Sequence, residues 1–205
     1  MHLWTKHLKI FAAAVAVLIA APAAALGPVD FTLDVWGGVK RYDAVGLRAG
    51  VERDAESAKD DLLDRNFNAI GATGILKVGA LELGALYEGG LDFDSTKNFV
   101  IAPLVGVGFD ASLLRLELLA EVGAARYYDI AGSRQSAWLP YAGVRPGASL
   151  RFGFIGSSRL VLGAWGFARW DLTTREVTIG PADLGTTYRV GGSTFGVVGR
   201  VGVEL

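Results

Sequence analysis

Beyond residue 26, apolar and polar residues alternate with a period of two through most of the chain, and this pattern constrains the fold more than any other feature. Val29, Phe31, Leu33 and Val35 alternate with Asp30, Thr32, Asp34 and Trp36, and Leu81, Leu83, Ala85 and Tyr87 with Glu82, Gly84, Leu86 and Glu88. Phe99, Ile101, Pro103, Val105, Val107 and Phe109 alternate with Val100, Ala102, Leu104, Gly106 and Gly108. Leu114, Leu116, Leu118, Ala120 and Val122 do so with Arg115, Glu117, Leu119, Glu121 and Gly123. The last run sets Phe195, Val197, Val201, Val203 and Leu205 against Thr194, Val198, Arg200 and Glu204. Successive side chains of a strand point to opposite faces, so each run is a strand with one apolar and one polar face. No long stretch sustains the three-to-four-residue repeat of an amphipathic helix. Gly- and Ala-rich runs at Phe67 to Leu76, Trp138 to Phe152 and Leu160 to Trp170 raise the expectation to eight strands of about ten residues, an even number as an up-and-down barrel requires and a length that lets a tilted strand cross a bilayer.

The connections alternate between short and long. Short ones fall near Lys77 to Gly79, Asp110 to Ser112 and Gly153 to Ser158; long ones run from Asp43 to Arg65, Gly89 to Asn98, Asp129 to Ser136 and Leu172 to Gly192. An outer-membrane barrel sorts its connections this way, with short turns on the periplasmic side, and the order places both termini there. Tyr42, Tyr87, Phe99, Tyr127, Tyr128, Trp138, Trp170 and Phe195 fall near the long-loop ends of their strands, and Phe31, Phe109, Phe152 and Phe154 near the short-turn ends. Two aromatic girdles at the membrane interfaces are expected from this placement.

Residues 1–25 read as an address. Lys6 and Lys9 precede a charge-free apolar run from Ile10 to Ala21, and Ala23, Ala24 and Ala25 provide a small-residue cleavage site before Leu26. The apolar run is too short for a transmembrane helix. The expected division is a signal peptide at 1–25 and a barrel domain at 26–205. Taking 25 residues from 205 leaves 180, with no His, Cys or Met, because His2, His7 and Met1 all lie in the leader and Cys is absent throughout. Ser-His-Asp and Cys-His chemistry, thiolate zinc sites and His-based metal sites are excluded together. The full chain carries 20 basic against 21 acidic residues, so it lacks the positive field that nucleic-acid binding needs.

A leader, eight alternating strands, short turns opposite long loops and a strand ending at the last residue together resemble the small eight-stranded outer-membrane barrels of the OmpX, OmpA transmembrane-domain and OmpW types. The resemblance implies an all-β, antiparallel up-and-down transmembrane barrel in the outer membrane of a Gram-negative bacterium. Its partners would be outer-membrane lipid, lipopolysaccharide and the barrel-insertion machinery, and it would be a monomer with no cofactor or metal. The final strand, Val201, Val203 and Leu205 at its end, would carry the insertion signal, with Leu205 in place of the usual terminal aromatic.

If the apolar face meets lipid, the other face fills the interior with Asp34, Glu82, Glu88, Glu117, Glu121 and Glu204 against Lys40, Arg115, Arg145, Arg151, Arg169 and Arg200. Buried charges are costly unless paired, and this balanced set is what a plugged lumen selects. Asp34 with Arg200 and Glu117 with Arg145 are the expected pairs. Eight strands leave room for side chains but not for a wide pore. The acidic loop with Asp54, Glu56, Asp60, Asp61 and Asp64 carries no calcium-loop spacing and reads as a solvated segment, with a short helix from Ala55 to Leu63. The leading function is non-enzymatic: a structural, envelope-stabilising or surface-interaction role. Transport of small or hydrophobic solutes is a second reading, and a periplasmic lipocalin-like binder a third, since alternation defines two faces without saying which one meets lipid.

Overall fold

In a computed structural model the chain is described at residues 29–43, 64–91, 97–130, 134–179 and 186–205. The leader at 1–25 and the short helix expected from Ala55 to Leu63 lie outside the described residues. The elements are β1 (Val29–Asp43), β2 (Asp64–Val78), β3 (Leu81–Leu91), β4 (Lys97–Ala111), β5 (Leu114–Tyr128), β6 (Ser136–Gly153), β7 (Arg159–Asp171), β8 (Arg175–Ile179), β9 (Thr186–Val190) and β10 (Ser193–Glu204). Eight of them close an antiparallel barrel in which each strand pairs with its neighbour in sequence and β10 pairs with β1, while β8 and β9 form a separate two-stranded sheet. Backbone hydrogen bonds in both directions between Phe31 and Leu205 extend the closure to the last residue.

The register fixes the shape of the barrel. From Thr32 the paired positions lead around the wall through Ile75, Gly84, Leu104 and Glu121, then Gly143, Arg169 and Thr194, and return to β1 at Tyr42, ten residues further along. A stagger of ten residues at about 3.3 Å each, over eight strands spaced about 4.8 Å apart, tilts the strands by about 40° and gives a backbone radius of about 8 Å. A cylinder that narrow is filled by its own side chains. The β2–β3 and β4–β5 turns have two residues, with Gly79 at φ 60° and Ser112 at φ 59°, the left-handed backbone that tight hairpins demand.

The outer wall is apolar. Val35, Val39, Val105, Leu116, Leu118, Val122 and Val197 are exposed, and a strand such as β5 presents an uncharged outer row from Leu114 to Ala124. Ten steps along a strand tilted by about 40° rise about 25 Å, the height of the apolar band of a membrane barrel. Apart from Arg41, Lys97 and Arg126 near the long-loop ends of their strands, the charged side chains of the described barrel wall point the other way, so the faces are inverted relative to a soluble lipocalin-like binder, and the structure removes that reading.

Two sequence expectations need correction. The long connection from Leu172 to Gly192 contains the β8–β9 hairpin, whose Val177 and Val190 are buried with Ile130, Ala137 and Leu139 at the long-loop end of the barrel. Alternation is present in Glu176 to Ile179 and in Thr187 to Val190 but spans only four residues in each, so the hairpin is easily read as part of a loop. Tyr42 and Tyr127 were expected at the membrane interface, yet both point inward, with ring centroids 5.4 Å apart. Tyr42 has the parity of Asp34 and Lys40, and Tyr127 that of Glu117 and Glu121, so the pleat turns them into the lumen. Trp138, Trp170 and Phe195 face outward and are exposed, whereas Tyr87, Phe99 and Tyr128 are half-buried on the same outer face.

Candidate functional site

The twelve charged positions read as interior from the sequence are all buried in the lumen, and Lys77 joins them. Lys77 follows Ile75 on the inner row of β2, but its place next to a turn disguised it. Seven buried bases thus face six buried acids, and the half-exposed Asp110, at 2.6 Å from Arg115 and 2.9 Å from Arg151, supplies the missing negative charge.

The charges form three connected levels. Nearest the short turns, Glu204 accepts from Lys77 at 2.6 Å, Arg159 at 3.0 Å and Arg151 at 3.3 Å. Beside it Arg115 donates through Nε to Glu82 at 2.9 Å, with its Nη2 in a second contact to the same oxygen. At the middle level Arg200 lies 3.5 Å from Asp34 and 2.7 Å from Glu117, and donates to the Ser149 hydroxyl at 2.8 Å. The Thr73 hydroxyl donates to Asp34 at 3.3 Å, and the Trp165 indole N–H donates to Glu117. Toward the long loops, Glu88 meets Lys40 at 2.8 Å, Arg169 at 2.6 Å and Arg145 at 4.0 Å, while Glu121 meets Arg169 at 2.6 Å and Arg145 at 3.4 Å.

The expected Asp34 to Arg200 contact is present because β1 and β10 are neighbours and Trp36 pairs with Arg200. The expected Glu117 to Arg145 pair is absent. Arg145 pairs with Leu119 on β5, which puts Glu117 and Glu121 equally near along the strand. Trp165 settles the choice: it sits over Gly147, the partner of Glu117, and takes the Glu117 carboxylate as its acceptor. Arg145 is left with Glu121, with Glu88 at 4.0 Å, and with an aromatic box, its guanidinium 5.1 Å from the Trp36 ring, 5.3 Å from Trp165 and 4.9 Å from Phe167. A guanidinium is weakly hydrated and stacks on aromatic faces, so rings compensate part of its desolvation.

This inner aromatic layer depends on glycine. Trp36 pairs with Gly71, Trp165 with Gly147 and Phe167 with Gly196 across adjacent strands. A methyl group at any of the three glycines would collide with the paired ring. Bare backbone beneath each ring lets it lie flat against the wall inside so narrow a cylinder. Above the layer, Tyr127 donates to Asp171 at 2.9 Å, the Gly192 amide donates to the same carboxylate at 3.0 Å, and the Gly191 amide donates to the Tyr42 hydroxyl at 3.2 Å. Ion pairs, rings and the buried valines of the hairpin thus line the lumen at successive levels from the short turns to the long-loop end. On the outer face Val201 and Leu205 are exposed and Val203 is half-buried, as the alternation of the last strand requires.

No protein-family model matches the chain, and no curated protein matches it. Among solved structures it is similar to Neisserial surface protein A, with 15% identity and a TM-score of 0.52 over 82% of this chain and 95% of that one. The N-terminal β-barrel domain of Pseudomonas aeruginosa OprF aligns at 14% identity and a TM-score of 0.45 over 83% and 96% of the two chains. The outer membrane protein AlkL, solved in lipid bilayers, aligns at 13% identity and a TM-score of 0.48 over 90% and 92%. At such identities the likeness is one of architecture, and it rests on Neisserial surface protein A: the chain has the all-β, closed, eight-stranded fold of the small outer-membrane barrels.

Proposed function

We propose that the chain is an integral outer-membrane barrel of a Gram-negative bacterium, without enzymatic activity, which acts as a rigid structural or surface-interaction element. The observation that carries this reading is the pairing of an apolar outer wall with a lumen packed by buried ion pairs. An apolar band about 25 Å tall is stable only against hydrocarbon or another protein. A lumen of mutually compensated charges holds the strands in register, and in so narrow a cylinder those side chains take the space a solute would need. The absence of His and Cys beyond residue 7 supports the non-enzymatic part, since the pairs that depend on an imidazole base or a thiolate nucleophile cannot be assembled.

Fractionation of expressing cells, then electrophoresis of the outer-membrane fraction with and without boiling in SDS, tests the location. A band in that fraction whose mobility changes on boiling is expected; a protein free in the periplasm would overturn the proposal. Planar-bilayer conductance and solute-swelling assays test the closed lumen. No steady conductance is expected, and solute uptake above that of empty liposomes would move the reading to transport of small or hydrophobic solutes.

A further inference from the structure

Arg126 is a charged side chain on the wrong face. It belongs to the outer row of β5, in step with Leu116, Leu118 and Val122, and so points toward the surroundings of the barrel. On the adjacent strands its paired positions are Phe99 and Trp138, whose rings meet edge to face at 5.1 Å. The guanidinium lies 6.0 Å from the Phe99 ring, 5.8 Å from Tyr128 and 5.8 Å from Trp138. Its Nε is buried without a hydrogen-bond partner, and no carboxylate among the described residues pairs with its head. The other outward cation nearby, Lys97, lies 6.0 Å from the Tyr128 ring and 2.9 Å from Asp129. Every lumenal arginine, by contrast, has at least one carboxylate within 4.0 Å.

An arginine facing hydrocarbon is destabilising, by an amount that falls toward zero at the headgroup level. Arg126 sits at that level, among the rings of the long-loop girdle. A guanidinium offers a planar fork of donors that matches two phosphate oxygens, and rings around its stem restrict it to one direction. Charge and depth therefore select an anionic group carried by a lipid.

We propose that Arg126, framed by Phe99, Tyr128 and Trp138, is a binding site for the phosphate of a lipid headgroup in the leaflet at the long-loop end of the barrel. The inference rests on the membrane-spanning reading and adds a specific annular lipid site to it. The aromatic frame holds the stem, and Arg126 supplies the charge and the fork, while the charge of Lys97 is matched by Asp129.

Native mass spectrometry of the folded barrel released from detergent, titrated with dimyristoylphosphatidylglycerol or with uncharged dimyristoylglycerol, tests the site. The wild-type protein is expected to retain one phospholipid in preference to the uncharged lipid. Arg126→Gln should lower the fraction carrying that lipid about fivefold, since one basic residue near an anionic lipid is worth about 1 kcal/mol. Arg126→Lys should keep part of the binding, and Trp138→Leu should weaken it less than Arg126→Gln does. Inorganic phosphate at millimolar concentration should leave the lipid in place; displacement would assign the site to free phosphate and overturn the lipid proposal. Equal retention by wild type and Arg126→Gln, or equal retention of the two lipids, would also overturn it. A boiling-dependent mobility shift of each variant, measured in parallel, verifies that the barrel is folded, so that failure of the site is distinguished from failure of the membrane reading.

Discussion

The two ends of the lumen hold similar numbers of charges in different surroundings. Around Glu88 and Glu121 every partner is buried, and rings of Trp36, Tyr141, Trp165 and Phe167 line the cluster. Around Glu204 the network opens at the rim, where Arg159 and Asp110 are about half exposed. The same ion-pair chemistry has different consequences at the two levels. At the rim, water replaces a lost partner; in the ringed cluster nothing replaces it, and the remaining charges stay desolvated.

The largest effect is therefore expected for Glu88→Ala. It strips a carboxylate from Lys40, Arg145 and Arg169 at once, leaving Glu121 alone among the carboxylates facing the two arginines. Breaking a buried pair by removing one partner costs about 3–5 kcal/mol. A urea titration of the barrel refolded in detergent should place the midpoint far below the wild-type value. A shift no larger than that of a surface variant would erase the distinction between the two ends.

Arg200→Ala is expected to rank second, at about 3 kcal/mol. Asp34 and Glu117 lose their shared cation, but the Thr73 hydroxyl and the Trp165 indole still donate to them. Lys97→Ala is the reference, because both partners of its ion pair with Asp129 are about 40% exposed and solvent-accessible pairs contribute at most about 1 kcal/mol. Equal losses in unfolding temperature for the two variants would mean that burial does not set the value of these charges.

Most of the architecture is legible in the sequence, and the reason is geometric. Alternation such as Leu114, Leu116 and Leu118 against Arg115, Glu117 and Leu119 states the two faces, and parity then assigns the twelve expected charges to the lumen and Arg126 to the outer face. Parity also places Tyr42 and Tyr127 inside; grouping them by nearness to a loop, rather than by the pleat, put them in the girdle. What alternation lacks is depth. It cannot say which of Glu117 and Glu121 meets Arg145, because that depends on where Trp165 lies, and Trp165 lies flat only because Gly147 faces it on the next strand. Within the Gly- and Ala-rich runs, cross-strand pairing of glycine with a large ring is the signal that would have located the inner aromatic layer.

That dependence gives the third test, Gly147→Ala. The added methyl group would force the Trp165 ring off the wall and disturb its hydrogen bond to Glu117. Overpacking of this kind costs about 1–3 kcal/mol. The same substitution at Gly153, where an added methyl meets nothing, should be neutral by comparison. Urea midpoints that move together at both positions would refute a packing role for Gly147.

The smallest lumenal effect is expected for Glu204→Gln, and its size measures how far the rim differs from the ringed cluster. The substitution removes a charge from contact with Lys77, Arg151 and Arg159 but keeps the shape and an acceptor oxygen. Arg159 turns to water, Arg151 keeps Asp110 at 2.9 Å, and Lys77 alone is left with a neutral partner. A loss of about 1.5 kcal/mol follows, at the low end of the range for a single hydrogen bond to a charged group. Raising ionic strength should change this loss little, since the wild-type contacts are already short, whereas Glu88→Gln should remain the more damaging change at every salt concentration. If Glu204→Gln instead matches Glu88→Gln, the short-turn rim is as dry as the ringed cluster, and the lumen is one continuous desolvated network.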